Sequence, residues 1–314
     1  MSPRRDPEPE FTSYYGRPIL KEPTWKAPDI AGYLFAGGLA GASSGLAAGA
    51  ALTGRPVLAR VSRVGAVVAI SASLGALVHD LGRPGRFINM LRVAKWTSPM
   101  SMGSWLLSGY APLTAVAAFS DLTGRLPRIG QASGLGAAVL GTGVASYTAV
   151  LIADTAVPAW HEVWRELPFV FIGSAASAAG GLGLLAAPVA QTGPAQRLAL
   201  GGAALELGMS EVMTRRAGLV SETFEQGRAG ALMRAAKIAT VAGAAGAAVF
   251  GRRNRWGSAA SGAALLAGSA LTRFGIFEAG RASTLDPKYV VIPQRERAEA
   301  TASTPVRTPA HAAI

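Results

Sequence analysis

Long apolar stretches alternate with short charged ones along most of the chain. Eight runs approach the about 20 residues that a helix needs to cross the roughly 30 Å hydrocarbon core of a bilayer. They cover residues 30–52, 64–81, 99–120, 131–153, 167–187, 196–213, 232–250 and 257–277, and Glu206 interrupts the sixth. Apolar residues are continuous within the runs and do not alternate with polar ones, which argues against membrane β-strands. A helix satisfies its own backbone polar groups in lipid, whereas an open sheet cannot. The pattern therefore predicts an all-α polytopic membrane protein with eight transmembrane helices.

The first run contains GGLAGASSGLAAGA, with Gly37, Gly41, Gly45 and Gly49 at strict four-residue spacing. Residues four apart share a helix face, so this ladder predicts a smooth surface for close helix packing. Weaker small-residue spacings recur at Gly173, Ser177 and Gly181 and at Gly243 and Ala247. An even number of spans puts both termini on one side of the membrane, here called side A. Side A also holds the connections 82–98, 154–166 and 214–231, which are longer and carry Trp96, Trp160 and Trp164. Side B holds shorter connections such as TGRP at 53–56 and TGRLPR at 123–128. Lys and Arg near the helix ends divide 21 to side A and nine to side B, and the positive-inside rule then predicts cytoplasmic termini. The charged, proline-bearing residues 1–28 do not resemble a cleaved signal, so the first run is expected to remain as a span.

Composition strengthens this reading. Charged residues make up 15% of the 314 and the mean hydropathy is +0.31, against about 25% charged in soluble domains. The net charge of +12 would suggest nucleic acid in a soluble protein. Here it places positive charge at membrane surfaces, with lipid rather than nucleic acid as the expected contact. Cysteine is absent, which excludes disulfides, thiolate-held iron–sulfur clusters and cysteine nucleophiles from this chain.

Candidate chemistry gathers at the rims of the spans. HDLGRPGRFINMLR, residues 79–92, brings together His79, Asp80, Arg83, Arg86 and Arg92, with Lys95 just beyond. Asp80 and Arg83 either form a pair that closes the second helix or make a proton-handling carboxylate tuned by arginines. Of three histidines, His311 is in the tail and His79 and His161 lie at membrane edges. A bis-histidine haem needs facing mid-helix ligands, so no haem is expected. Tyr147 lies two helical turns before Asp154, and a phenol near a carboxylate suits a quinone-like headgroup as well as it suits ordinary interhelical bonding. Glu206, inside the sixth run with Glu211 beyond it, is a candidate element of a polar path. Arg273 and Glu278 bracket the end of the eighth run, where either would also suit the headgroup level.

Three quoted stretches then meet something known. HDLGRPGRFINMLRVAKWTSPMSMGSW, SYTAVLIADTAVPAWHEVWRELPFVFIGSAASAAGG and RFGIFEAGRASTLDPKYVV resemble the NrfD/PsrC family, with the similarity running in order over most of residues 12 to 292. DLGRP followed by SPMSxGSW is the most specific part. The resemblance implies two four-helix bundles without haem: an arm at 1–28, bundles at 29–155 and 156–277, and a charged tail at 278–314. It implies the membrane subunit of a respiratory oxidoreductase complex in a prokaryotic cytoplasmic membrane. Such a subunit binds a quinone or quinol, menaquinone in this reading, and carries no metal of its own. Its partners would be a ferredoxin-like multi-cluster iron–sulfur protein and a catalytic subunit, often a molybdopterin enzyme.

Carried onto this chain, the resemblance makes Tyr147 the preferred partner of the quinone carbonyl. Asp80, Arg83 and Tyr33 join it as headgroup contacts, with His79, Asp80 and Glu206 as proton-handling groups. Arg83, Arg86, Arg92 and Lys95 become the partner-docking charges. A histidine near the start of the first span contacts the quinone in one described family site, and this chain has Asp29 and Tyr33 in that region. Two rival functions remain. A secondary transporter would show inverted repeats and helices broken near the midplane, yet the glycine-rich first and fifth spans carry no central proline. A membrane anchor without quinone chemistry would keep the docking charges and make no use of Tyr147 or Asp80.

Overall fold

The computed structural model describes residues 19–83 and 85–302. The MSPRRDPEPEF stretch, Pro84 of the DLGRP motif, His311 and the tail beyond residue 302 lie outside the described residues. Among the described residues the secondary structure is helical throughout. Eight helices are long and of spanning size: α1 (Ala27–Leu52), α2 (Pro56–Asp80), α4 (Pro99–Thr123), α5 (Pro127–Ala153), α7 (Leu167–Ala186), α8 (Gly193–Arg216), α10 (Gly227–Phe250) and α11 (Arg255–Leu285). Between and after them come α3 (Gly85–Met90), α6 (Pro158–His161), α9 (Glu222–Glu225) and α12 (Lys288–Ala302).

Each of the eight apolar runs falls on one of the long helices. Six of these are long and apolar enough to cross a membrane: α1, α2, α5, α7, α10 and α11. The exceptions have visible causes. Helix α8 carries Arg197, Glu206, Glu211, Arg215 and Arg216, and α4 is diluted by serine and glycine. The apolar run that ends at 277 stops short of its helix, since α11 continues to Leu285. Charge pairing supports that extension: Arg281 lies 3.6 Å from Glu278 one turn back and also bridges to Glu22.

Local signals start and stop these helices where the chain must turn. Proline occupies the first helical position of α2, α4 and α5, where its missing N–H costs no hydrogen bond. Gly124 closes α4 at φ +69°, a left-handed conformation that only glycine adopts readily. Asn254 caps α11 by accepting hydrogen bonds from the N–H groups of Trp256 and Gly257 at 2.8 and 3.1 Å. At the same end of the bundle Arg60 and Arg63 of α2 both hold Asp121 of α4, at 2.9 and 2.8 Å.

Helices α1 and α7 lie at the centre. Helix α1 packs on α2, α5, α7 and α11, and α7 packs on α8 and α11. One apolar core runs from Leu34 of α1 through Val144 of α5 to Phe171 of α7 and Phe277 of α11. Dispersion and close packing must supply the adhesion in lipid, so small residues mark the crossings. A Cβ on Gly41 would collide with the carbonyl of Gly141, and one on Gly262 with that of Gly181. The α1 ladder divides along its length. Gly37 and Gly41 face neighbours, whereas a Cβ on Gly45 or Gly49 would meet nothing within 4 Å.

Candidate functional site

The charge knot ties α1 to α2. Asp29 lies in the first turn of α1, favourably placed against the helix dipole, and His79 lies in the last turn of α2. His79 Nδ1 is 2.8 Å from the Asp29 carboxylate. The Asp80 carboxylate accepts a hydrogen bond from the N–H of Lys26, the residue that caps α1, at 3.3 Å. Arg86 donates to the carbonyl of Leu81 at 2.9 Å, which closes the turn around Gly82. Arg83, Arg92 and Lys95 are exposed. Tyr33 is 2% exposed within the core, where its carbonyl accepts from Ser73.

Tyr147 stands elsewhere on side A. It lines a cavity of about 900 Å³ bounded by the approach to α4, the end of α5, α6 and the start of α7. Trp96, Trp164 and Phe169 supply apolar walls, while Asp154, His161 and Arg165 bring charge and polarity. The Tyr147 ring lies against Gly103 of the SPMSMGSW stretch, where a Cβ would come within 2.9 Å of the ring. His161 Nδ1 is 3.2 Å from the carbonyl of Ala153. A carbonyl only accepts, so that nitrogen carries the hydrogen, and in the neutral ring Nε2 keeps a free lone pair. Asp154 caps the C-terminus of α5 with an exposed carboxylate. The fold thus groups Tyr147 with Asp154 and His161, while Asp80, His79, Arg83 and Tyr33 belong to the α1–α2 junction.

His161 was not legible as a lining residue. Its signal in the sequence is a lone histidine at a membrane edge, and the four-residue helix α6 decides its position. That helix is anchored by Trp160, which is fully buried and donates from Nε1 to the carbonyl of Ile276 at 2.8 Å. Trp160 also stacks on Trp25 with centroids 5.9 Å apart.

A second polar group lies inside the α7–α8–α11 packing. Glu206 is 2% exposed and accepts a hydrogen bond from Thr272 at 2.7 Å, while its other carboxylate oxygen has no partner among the described residues. Arg273 is 1% exposed, sits over the Phe171 ring at 3.7 Å and donates to the carbonyl of Phe171 at 2.8 Å. Its Nε and Nη1 have no hydrogen-bond partner among the described residues. Arg273 does not face the headgroups, because it is 1% exposed and turned inward onto Phe171. A cavity of about 430 Å³ leads from Glu206 past Ser210 and Thr214 on the same face of α8 to Glu225, Arg234 and Lys237.

The geometry can be set beside known proteins. Residues 21–250 match the model of the family described as Polysulphide reductase, NrfD. The chain belongs to the NrfD family. It is a multi-pass membrane protein of a family associated with quinone-interacting membrane subunits of polysulfide and nitrite reductase-like complexes. The NrfD match takes in the α1–α2 junction, the Tyr147 cavity and Glu206, while α11 and the RFGIFEAGR stretch lie beyond it. No curated protein matches the chain. Among the described residues of this NrfD chain no group of three or more His, Asp or Glu is placed to hold a metal ion.

Proposed function

We propose that this NrfD chain is the quinone-binding membrane subunit of a respiratory oxidoreductase complex and that the Tyr147 cavity receives the headgroup. The carrying observation is the convergence of a phenol, a tautomer-fixed imidazole, a carboxylate and aromatic walls in one side-A cavity. About 900 Å³ lies in the range of small-molecule sites, which are mostly apolar with a few placed polar groups. A quinol carries two electrons and two protons. The Tyr147 hydroxyl donates a hydrogen bond to a headgroup oxygen and fixes the ring. His161 Nε2 accepts a proton, and Asp154 at the rim passes it to solvent. Electrons leave for a cluster of the docked partner, and the same groups serve quinone reduction in reverse.

The remaining roles extend the same proposal. All eight long helices cross the membrane in this reading, as two four-helix bundles at 29–155 and 156–277. Helix α8 is about 36 Å long at 24 residues, enough to span, with Glu206 facing inward. Arg83, Arg86, Arg92 and Lys95 face a ferredoxin-like iron–sulfur subunit on side A, and that subunit links to a catalytic oxidoreductase, a molybdopterin enzyme in this reading. The complex belongs to a prokaryotic cytoplasmic membrane with both termini inside, and the quinone is menaquinone. Asp80, His79 and Arg83 shape the side-A surface at the α1–α2 junction, with Tyr33 in the core beneath them. Glu206, reached from side A through its own cavity, is the group that would couple proton movement to electron transfer.

The test is binding of a menaquinone analogue to the complex purified in mild detergent. Tyr147→Phe is expected to raise its Kd about tenfold, the value of one lost hydrogen bond, with assembly intact. Unchanged binding and quinol oxidation in both Tyr147→Phe and His161→Gln would leave the chain as a membrane anchor.

A further inference from the structure

Two arginines converge on one point at the side-B end of α8. A Cβ on Gly193 would lie 3.8 Å from Nη1 of Arg197 and 4.0 Å from Nε of Arg252. The two charged groups therefore stand within about 8 Å of each other, both exposed and near enough for one anion to meet both. Neither side chain has a hydrogen-bond or ion-pair partner among the described residues. Asp121 is the one acidic residue in the side-B connections and flanking turns, and Arg60 and Arg63 already hold it. Gly193 is also the first residue of α8, so the positive end of a long helix dipole points to the same place.

Beside this point a groove of about 560 Å³ runs along the flank of the bundle, walled by α1, α5, α7 and α8. Its lining is mostly apolar, with Ile172 and Leu198 opposite the open half of the glycine ladder at Gly45 and Gly49. Arg197 stands in its wall. The groove has volume enough for part of a hydrocarbon tail, and Arg197 in its wall brings unpaired positive charge near the side-B connections. An apolar groove alone would accept any acyl chain. A pair of unneutralised guanidiniums selects for charge, because their planar donors match phosphate oxygens.

We propose that this groove holds an acyl chain of an anionic phospholipid, with its phosphate between Arg197 and Arg252. The lipid bridges α1 and α5 to α7 and α8, filling the part of that junction where the glycines leave space. The site lies at the membrane face opposite the Tyr147 cavity and does not depend on quinone chemistry.

The experiment follows thermal unfolding of the delipidated full chain in mild detergent while phosphatidylglycerol, phosphatidylcholine or inorganic phosphate is added at equal ionic strength. Phosphatidylglycerol is expected to raise the midpoint at the lowest concentration. The double variant Arg197→Gln/Arg252→Gln should weaken that response about 30-fold, from about 1 kcal/mol for each basic side chain near an anionic headgroup. Gly45→Leu fills open space in the groove and keeps both arginines, so it should weaken the response through the tail alone. Equal response to both phospholipids, or an unchanged phosphatidylglycerol response in the double variant, overturns the proposal. A full response to inorganic phosphate makes the site a bare anion site and also overturns it. If the double variant does not fold, Gly45→Leu decides by itself, and an unchanged response overturns the proposal.

Discussion

At Gly103 the missing side chain lets the Tyr147 ring lie against α4, and the phenol owes its position to that contact. Gly103→Ala would force the ring to move while α4, which gains helix propensity, stays formed. Quinol oxidation by the proposed complex is expected to fall about tenfold or more, since a displacement near 1 Å can cost 10²-fold. The midpoint of unfolding should change little by comparison. Unaltered turnover would show that the ring position is immaterial to the reaction. Tyr147 and Asp154 could be read in advance because helical periodicity places residues seven apart on one face. His161 could not, because nothing within four residues of it indicates which helix end it will meet. Arg273 was open to a headgroup reading for a different reason. Its place near the end of an apolar run does not say which way the side chain turns, and packing on Phe171 turns it inward.

The side-A connections are held by elements too short to be stable alone. Lys288 at the start of α12 donates to the Glu222 carboxylate of α9 at 2.9 Å, and the Tyr289 hydroxyl donates to the same carboxylate at 3.2 Å. The hydrogen bond from Lys288 comes first in pulling the Glu222 carboxyl below its ordinary value of 4.5. The same bond raises Lys288 above its ordinary 10.5. A carboxyl with a depressed folded pKa contributes stability that is complete above its unfolded value and is lost as pH falls through the folded one. The raised Lys288 contributes stability that is complete below 10.5 and lost as pH rises through its folded value. Amide protection of α9 and of the first turn of α12 should therefore hold from about pH 5 to 10 and fall below pH 4.5. Hydrogen exchange at pH 7 and pH 3.5 checks this, with Lys288→Gln as the control that has already lost the bond. Equal acid sensitivity in both chains would assign the effect to other groups.

On the scale of the whole molecule, side A gathers the long connections, the Tyr147 cavity and the mouth of the Glu206 cavity, with Arg83, Arg92 and Lys95 exposed in one of those connections. Exposed charges govern encounter more than packing. Changing Arg83, Arg86 and Arg92 together to Ala is expected to weaken association with the proposed iron–sulfur partner at least tenfold at physiological salt, while the isolated chain unfolds at nearly the same temperature. Co-purification measured against ionic strength reads the effect, and an intact complex at raised salt would remove this surface as the docking face.

The amino-acid sequence by itself determined that the chain is helical, that it enters a membrane and where the eight long helices lie. Each of those outcomes is local: twenty apolar residues in lipid have no other way to satisfy their backbone. The pairing of small residues at crossings was legible as a tendency, since the α1 ladder announces close approach without naming a partner. Only the tertiary structure decided that Gly41 meets Gly141 while Gly45 and Gly49 border a groove. The same packing turns Arg273 inward and lets α6 carry His161 to the cavity of Tyr147. Residues more than a hundred positions apart hold α6 there, with Trp160 bonded to Ile276. Spacing along a chain specifies which side chains share a helix face, but the contact between two faces depends on how every other helix fills the remaining space.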